Sequence, residues 1–386
     1  MLETLKFGKG NWANKTDSTL AYSDQYGNFQ AIPFDFTRAT TATRVNKQGL
    51  IESVNDGIAR IDYSDSTQGA LLLEPQSTNL ITDSNDANDI GGGVVETSSG
   101  TSPDGTQNAF KLTFGVGQND GATLYIGGST ALPSTEYTFS VYAKSVNGDG
   151  TFNVRIDTDT QALVDNNNFT STSEWQRYSF TFTTDAACSS FTTNTRLRGV
   201  TDNNEILFYG LQVEELSYET SLIPTSGTIV TRNQEICKNA TPVINSEEGV
   251  LYAEISALVD DAPHRWISLS DATTNNRVNF QYYTGSNEIR VEVRSEGVTS
   301  LNSFIIVTDI TDFIKIGVKW KLNDFAVWIN GVEVATSNTG NAPIGMSTLS
   351  FTHYGQSANP FFGNTKDLKI YNTALTDAQL QTLTTI

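Results

Sequence analysis

Glu288, Arg290 and Glu292 stand at alternate positions of "EIRVE", and alternate residues of an extended strand share one face. Two carboxylates on one face are the raw material of glycosidic bond cleavage. One acts as nucleophile and the other, with a raised pKa, protonates the leaving oxygen, the pair standing about 5 Å apart when configuration is retained. Here the side chain between them is a guanidinium. Arg290 holds both glutamates ionised and opposes the raised pKa that a general acid needs, so the triplet reads as a salt-bridge ladder on a polar strand face. No residue is assigned a catalytic role, and the protein is expected not to be an enzyme. Two acidic pairs, Asp157 with Asp159 in "RIDTDTQ" and Asp260 with Asp261 in "VDDAP", offer the carboxylate oxygens that calcium takes from loops. Neither has the spacing of a complete ligand loop. No metal ligand is assigned and no cofactor is expected, although a structural calcium stays open. His264 and His353, with Cys188 and Cys237, lack the spacing of a zinc or haem site, and a disulfide framework is not expected.

Sugar binding asks for other groups: aromatic rings presented flat, with amides or carboxylates beside them to meet the hydroxyls. In "RVNFQYYT" the alternation turns Val278, Phe280 and Tyr282 toward a core, so Asn279, Gln281 and Tyr283 face outward. In "FAVWINGVEVA" Phe325, Val327 and Ile329 take the core and Trp328 faces outward. His353 and Tyr354 lie in "FTHYGQSANPFFGN", a loop of the composition that rims such a surface. Tyr283, Trp328, His353, Tyr354, Asn279 and Gln281 are therefore the candidate glycan-binding residues. The competing expectation for any one of the aromatics is packing under a neighbouring loop or subunit. Trp12, Trp175, Trp266 and Trp320 are expected to be mainly structural.

Holding these side chains is a task for strands. Only 17% of the 386 residues are charged, and Thr, Ser, Asn and Gly fill surface and turns, the composition of an all-β protein. The length suffices for two or three domains with cores of their own. Lys plus Arg number 24 against 43 Asp plus Glu, a net charge of -19, and such a field repels phosphate backbones, so nucleic acid is not expected as a partner. No apolar run reaches membrane-spanning length, and "MLETLKFGKGNW" lacks the apolar stretch of a signal peptide. The expectation is a protein neither inserted into a membrane nor exported by an ordinary signal.

The expected fold is all-β: an N-terminal β docking segment, two antiparallel β-sandwich (jelly-roll) domains and a short C-terminal helix. Residues 1–85 carry short strands and the apolar run Leu71, Leu72, Leu73, too little for a separate core, so a partner is expected to complete their surface. A polar stretch with Gly91, Gly92 and Gly93 follows as a hinge. Residues 90–233 form the first sandwich, with period-two strands such as "EYTFSVYAK", "TFNVRID" and "EWQRYSFTFTT" and a tight-turn sequence "NGDG". Its strand "EILFYGLQVEE" is apolar on both faces, which suits full burial or a subunit contact. Residues 243–386 form the second sandwich, in which Asn330-Gly331 marks a type I′ hairpin. Its closing helix is capped by Thr376 with Gln379 in a capping box.

Several stretches resemble known families. "SPDGTQNAFKLT", "YTFSVYAKS", "WQRYSFTFT" and "LFYGLQVEELSYETSLIPTSGTIVTR" resemble the carbohydrate-binding-module-like jelly roll of bacteriophage tail and fibre proteins. Tyr218 through Arg232 follow that family's Y-x-T-S-x-I-P-T-x-G-T-x-V-T-R exit nearly throughout. "FAVWINGVEVA" and "GNTKDLKIYNTALTDAQLQTLT" resemble the concanavalin A-like, laminin-G-like sandwich, and "FTRATTATRVNKQGLI" with "LLLEPQSTNLI" resembles a segment that recurs in phage structural proteins. The resemblance implies a virion protein, a head or tail fibre, spike or receptor-binding subunit, often trimeric, assembled in the host cytoplasm. By fold analogy alone it implies adhesion to host-surface glycans. Concanavalin-like sandwiches also include hydrolases of the laminarinase type with an E-x-D-x-E strand, and Arg290 departs from that pattern at its middle carboxylate. The partners implied are other virion proteins, host cell-surface polysaccharide and two further copies of the chain in a homotrimer. Two other readings stand beside this one: a polysaccharide-degrading glycoside hydrolase of the virion, and a decoration protein without glycan binding.

Overall fold

The computed structural model describes residues 3–25, 28–90, 93–114, 121–124, 130–160, 162–192, 195–200 and 204–386. As the alternation requires, it is built of antiparallel strands, and the helix among the described residues is the C-terminal Asp377–Thr384. Thr376 caps it and Gln379 completes the capping box, satisfying amides that the first turn leaves without intrahelical partners. No helix among the described residues is long and apolar enough to cross a membrane.

The chain divides into two compact units whose boundaries differ from the three segments expected (1–85, 90–233 and 243–386). One unit comprises Met1–Thr41, Val54–Pro75 and Gln234–Ile386, the other Ala42–Ser53 and Gln76–Asn233. The N-terminal residues are thus not structurally separate from the later strands. Leu5–Gly8 pairs with the late strand Gly363–Tyr371, Leu5 opposite Ile370. Ala70–Leu73 pairs with that same strand, Leu71 opposite Thr365. Asn28–Thr37 pairs with Ile236–Lys238, Phe36 opposite Cys237. Strands of four residues cannot enclose a core alone, and here they extend a sheet of twelve strands among the described residues. A five-stranded sheet packs against it, in the order Val298–Ile306, Glu288–Ser295, Arg277–Tyr282, Arg265–Ser270, Thr348–Ser350. Phe7, Phe34, Leu71 and Leu73 from the N-terminal residues share one core with Phe280, Val291, Trp320, Phe351 and Ile370. The Phe7 ring lies 5.2 Å from Phe34 and 6.0 Å from Phe351. The hairpin at Asn330-Gly331 is present, both residues at positive φ (49° and 81°), the backbone that a type I′ turn requires and that Asn and Gly tolerate.

Four buried charges lock the first unit. The fully buried Arg38 and Glu235 side chains pair at 2.7 Å. Arg60 pairs with Glu235 and, at 2.8 Å, with Glu74. Arg38 also donates to the carbonyls of Thr40 (2.7 Å), Val54 (3.1 Å) and Ile58 (3.0 Å). Burial lowers the Arg60 pKa, but the carboxylates of Glu235 and Glu74 outweigh it and the net shift is upward. The guanidinium stays charged, as a buried cation can when it is paired and hydrogen-bonded.

Among the described residues the second unit is a sandwich of two five-stranded sheets around Phe110, Leu112, Phe139, Val141, Phe152, Val154 and Phe208. Gly91 and Gly92, two of the three residues read as a hinge, lie outside the described residues. Gly148 of "NGDG" has φ 80°, but the turn joins strands of different sheets, since Glu136–Ser145 pairs with Gln176–Thr183 while Gly150–Asp157 pairs with Ala162–Ser171. The strand Glu205–Glu214 sits inside its sheet, between Ala109–Thr113 and Glu136–Ser145. Phe208 and Leu211 enter the core, while Tyr209 packs with Ile51 and Leu222 on the other side. Its two apolar faces are therefore both covered within the unit, the second partly by the Leu222 region of the exit segment. That segment is tied down by the buried Glu214, which accepts from the Ser77 hydroxyl (2.6 Å), the Thr220 amide (3.0 Å) and the Gln212 side chain (2.6 Å). Val230–Arg232 then pairs antiparallel with Ser77–Asn79, so the strands that enter and leave the unit lie side by side.

Candidate glycan-binding faces

In the first unit the five-stranded sheet turns one face to the core and the other outward. Val278, Phe280 and Tyr282 are core residues, so Arg277, Asn279 and Gln281 point the opposite way. Cross-strand partners share a face. Gln281 is opposite Trp266 and Arg290, Asn279 is opposite Ser268 and Glu292, and Arg290 is opposite Phe304. Tyr283 continues this row, its ring 4.8 Å from His264 and 5.2 Å from Phe304. The loop after Phe351 folds over the same face. The ring of Trp266 meets His353 at 4.5 Å and Tyr354 at 5.4 Å, and the Arg277 guanidinium lies 4.8 Å from the Tyr354 ring centre. Five of the six candidates, Asn279, Gln281, Tyr283, His353 and Tyr354, are thereby brought together.

Their exposure differs from the expectation of an open surface. Asn279 and Gln281 are buried, at 0% and 1% exposure, because Tyr354 and the loop lie over the sheet. Tyr354 is itself buried, and burial pushes its phenol up to about 12. Burial, then the charge of Arg277, lowers the His353 imidazole below its ordinary range. Trp328 belongs elsewhere. It faces away from the sandwich core as the alternation requires, but packs with Tyr252, Tyr371, Leu375 and Leu380 beneath the C-terminal helix, where no ligand reaches its ring. A local pattern reads strand faces but not a helix laid on one from fifty residues downstream.

Glu292 is buried and paired with Arg277 at 2.5 Å and with Arg290 at 3.4 Å. Glu288 accepts from the Gly285 amide at 3.0 Å, turned into its own hairpin. The two carboxylates of "EIRVE" are thus engaged by different partners. Asp159 accepts from the Ser189 hydroxyl and the Ser189 and Ser190 amides, and these hold its carboxyl at about 2. Asp157 is bidentate with Arg155 (both 2.8 Å), Asp260 accepts from Ser286 and Asn287, and Asp261 pairs with Arg265. Among the described residues no three His, Cys, Asp or Glu side chains gather as a metal-holding group. Trp266, expected to be mainly structural, joins this polar face opposite Gln281, as do His264, Arg277 and Thr352, none of which was a glycan-binding candidate. The signal for Trp266 was present, since core residues Ile267 and Leu269 fix the face of their neighbours.

In the second unit the strand Gly150–Asp157 gives Phe152, Val154 and Ile156 to the core and turns Asn153 and Arg155 outward. Asn153 accepts from Arg198 Nε (3.1 Å) and Nη2 (2.7 Å) and donates to Asn168 at 3.2 Å. This row of amide and guanidinium groups has the donors and acceptors that sugar hydroxyls use. The outer side of the other sheet is occupied where Tyr209 and Tyr142 pack with Leu222 and Ile51.

Residues 88–198, the greater part of this second sandwich, match the family profile of a carbohydrate-binding domain. Solved structures resemble parts of the chain more distantly. The CBM40 of the Ruminococcus gnavus IT-sialidase aligns at 15% identity over 37% of this chain and 85% of its own, with a TM-score of 0.32. Domains LG4-5 of the mouse laminin alpha1 chain align at 10% identity over 69% of this chain and 91% of theirs, with a TM-score of 0.26. A native heptameric SAP-like pentraxin from Limulus polyphemus aligns at 16% identity over 38% of this chain and 73% of its own, with a TM-score of 0.29. Likeness at this level bears on neither ligand nor activity. No curated protein matches the chain.

Proposed function

We propose that the protein is a non-enzymatic adhesin of a bacteriophage virion that attaches to host cell-surface polysaccharide. The observation that carries the glycan part is the match of residues 88–198 to a carbohydrate-binding domain. The virion part is supported by the resemblance of the Arg38, Glu74 and Tyr218–Arg232 segments to phage structural proteins. Those segments supply Arg38, Glu74, Thr220 and Arg232 to the bonds that close each unit. The absence of enzymatic activity is supported by Arg290 standing between Glu288 and Glu292, with Glu292 held by two guanidiniums. A homotrimer suits the task, since three weak sites held together gain avidity.

The test is a glycan array of bacterial surface polysaccharides probed with the purified protein, followed by a reducing-sugar assay on every glycan bound. Binding without release of reducing ends is expected. Release that is lost in Glu292→Gln would make the protein a hydrolase, and failure to bind any glycan would remove the adhesin. Antibody labelling of purified particles tests the virion assignment, and light scattering should return three times 42.0 kDa.

A further inference from the structure

On the outer face of the five-stranded sheet several neutral polar groups are buried with no partner. Both the Nδ2 and the Oδ1 of Asn279 lack a hydrogen bond, as do Gln281 Nε2, Trp266 Nε1 and Thr352 Oγ1. All four residues are at most 6% exposed. Leaving one such atom unsatisfied costs about 1–3 kcal/mol, and native structures hold few of them. Their neighbours are committed elsewhere. Ser268 Oγ donates to the Thr352 carbonyl (2.7 Å) and accepts from the Tyr354 amide (3.2 Å), while Glu292 is held by Arg277 and Arg290.

The loop after Phe351 lies over this face, and His264 Nδ1 meets Gln281 Oε1 at 3.2 Å beside it. Tyr354 is held at φ +53°, a left-handed backbone that costs an aromatic residue energy. The loop closes on itself through the His353 amide to the Ala358 carbonyl at 3.1 Å, and its grip on the sheet face includes the Tyr354 amide bond to Ser268 and the contact of its ring with Arg277.

We propose that this polar layer is a second saccharide site, separate from residues 88–198, and that residues 352–359 are its lid. The inference rests on the reading of the protein as glycan-binding. Lifting Tyr354 uncovers a row in which the Asn279 amide offers a donor and an acceptor, Gln281 and Trp266 offer donors, and Trp266 offers a ring. Adjacent hydroxyls of a pyranose both donate and accept. The ligand class is a neutral sugar. The unpartnered groups of Asn279, Gln281, Trp266 and Thr352 are uncharged; the two charged exceptions on this face are Arg277 Nε, whose guanidinium Glu292 meets, and Arg294 Nε, whose guanidinium turns to the Gly297 carbonyl at the end of the strand.

The experiment takes each neutral glycan bound by the full-length protein on the array and measures its affinity for Asn279→Leu, Tyr354→Gly and, on the other unit, Asn153→Ala. At least one glycan should bind Asn279→Leu tenfold or more weakly and Asn153→Ala unchanged. The same glycan should associate about tenfold faster with Tyr354→Gly, where the lid no longer has to unlock. Because the amide has no protein partner, the Tm of Asn279→Leu should equal or exceed that of the wild type. Glycans that bind wild type, Asn279→Leu and Tyr354→Gly alike overturn the second site and leave the adhesin standing. If Asn279→Leu fails to fold, the rates of Tyr354→Gly decide. A wild-type protein that binds no glycan overturns both readings.

Discussion

Arg38 and Glu235 are 197 residues apart in sequence and meet as a fully buried ion pair at 2.7 Å. The same carboxylate holds Arg60 and accepts from the Glu74 amide at 3.0 Å, so one glutamate gathers three separate stretches of chain. Removing it leaves two buried guanidiniums short of countercharge, which costs about 3–5 kcal/mol. Glu235→Ala is expected to lower the urea midpoint of the first unit by a corresponding amount. A loss below about 1 kcal/mol would show that the cluster contributes little.

The C-terminal sandwich is not expected to fold alone. A fragment beginning at Ala240 lacks Leu5, Phe7, Phe34, Leu71 and Leu73 from the shared core, and strand Gly363–Tyr371 loses both of its N-terminal neighbours. Such an edge with an open core invites aggregation. A soluble, cooperatively unfolding fragment would contradict this.

Trp328→Ala should destabilise without changing glycan binding. The indole is 8% exposed beneath the helix, and truncating a buried Trp costs about 3–5 kcal/mol. Array binding at a temperature where the variant stays folded should match the wild type. Loss of binding there would place Trp328 at a ligand.

The loop over the polar face should loosen at both ends of the pH scale. His353 has a folded pKa below its ordinary 6.5, so its contribution is complete above that value and is lost as pH falls through the lower, folded one. Tyr354 has a folded pKa of about 12 against an ordinary 10.0. Its contribution is complete below 10.0 and is lost as pH rises toward 12. The protection of the amides of residues 352–359, taken as the intrinsic exchange rate at each pH divided by the observed one, should be greatest between these limits, and protection that is flat across them would sink the prediction.

Strand identity was legible because burial on a pleated sheet imposes a period of two. The alternation in "RVNFQYYT" and "FAVWINGVEVA" placed each residue on the face where it is found, and Thr376 with Gln379 marked the helix start. These are local effects, written within a few residues. What lay over each face was not local. Trp328 and Asn279 both point away from the core, yet a helix covers one and a loop covers the other.

The sequence by itself determined an all-β chain, the facing of its strand residues and the grouping of Asn279, Gln281 and Tyr283. Each follows from backbone geometry acting over neighbouring positions. Only the tertiary structure decided that Leu5–Gly8 and Ala70–Leu73 belong to the sandwich that ends at Tyr371, that Arg38 answers Glu235, and that Asn279 is closed from solvent. Pairing between distant strands depends on which surfaces remain unburied once every element has formed, and that balance is settled by the whole chain.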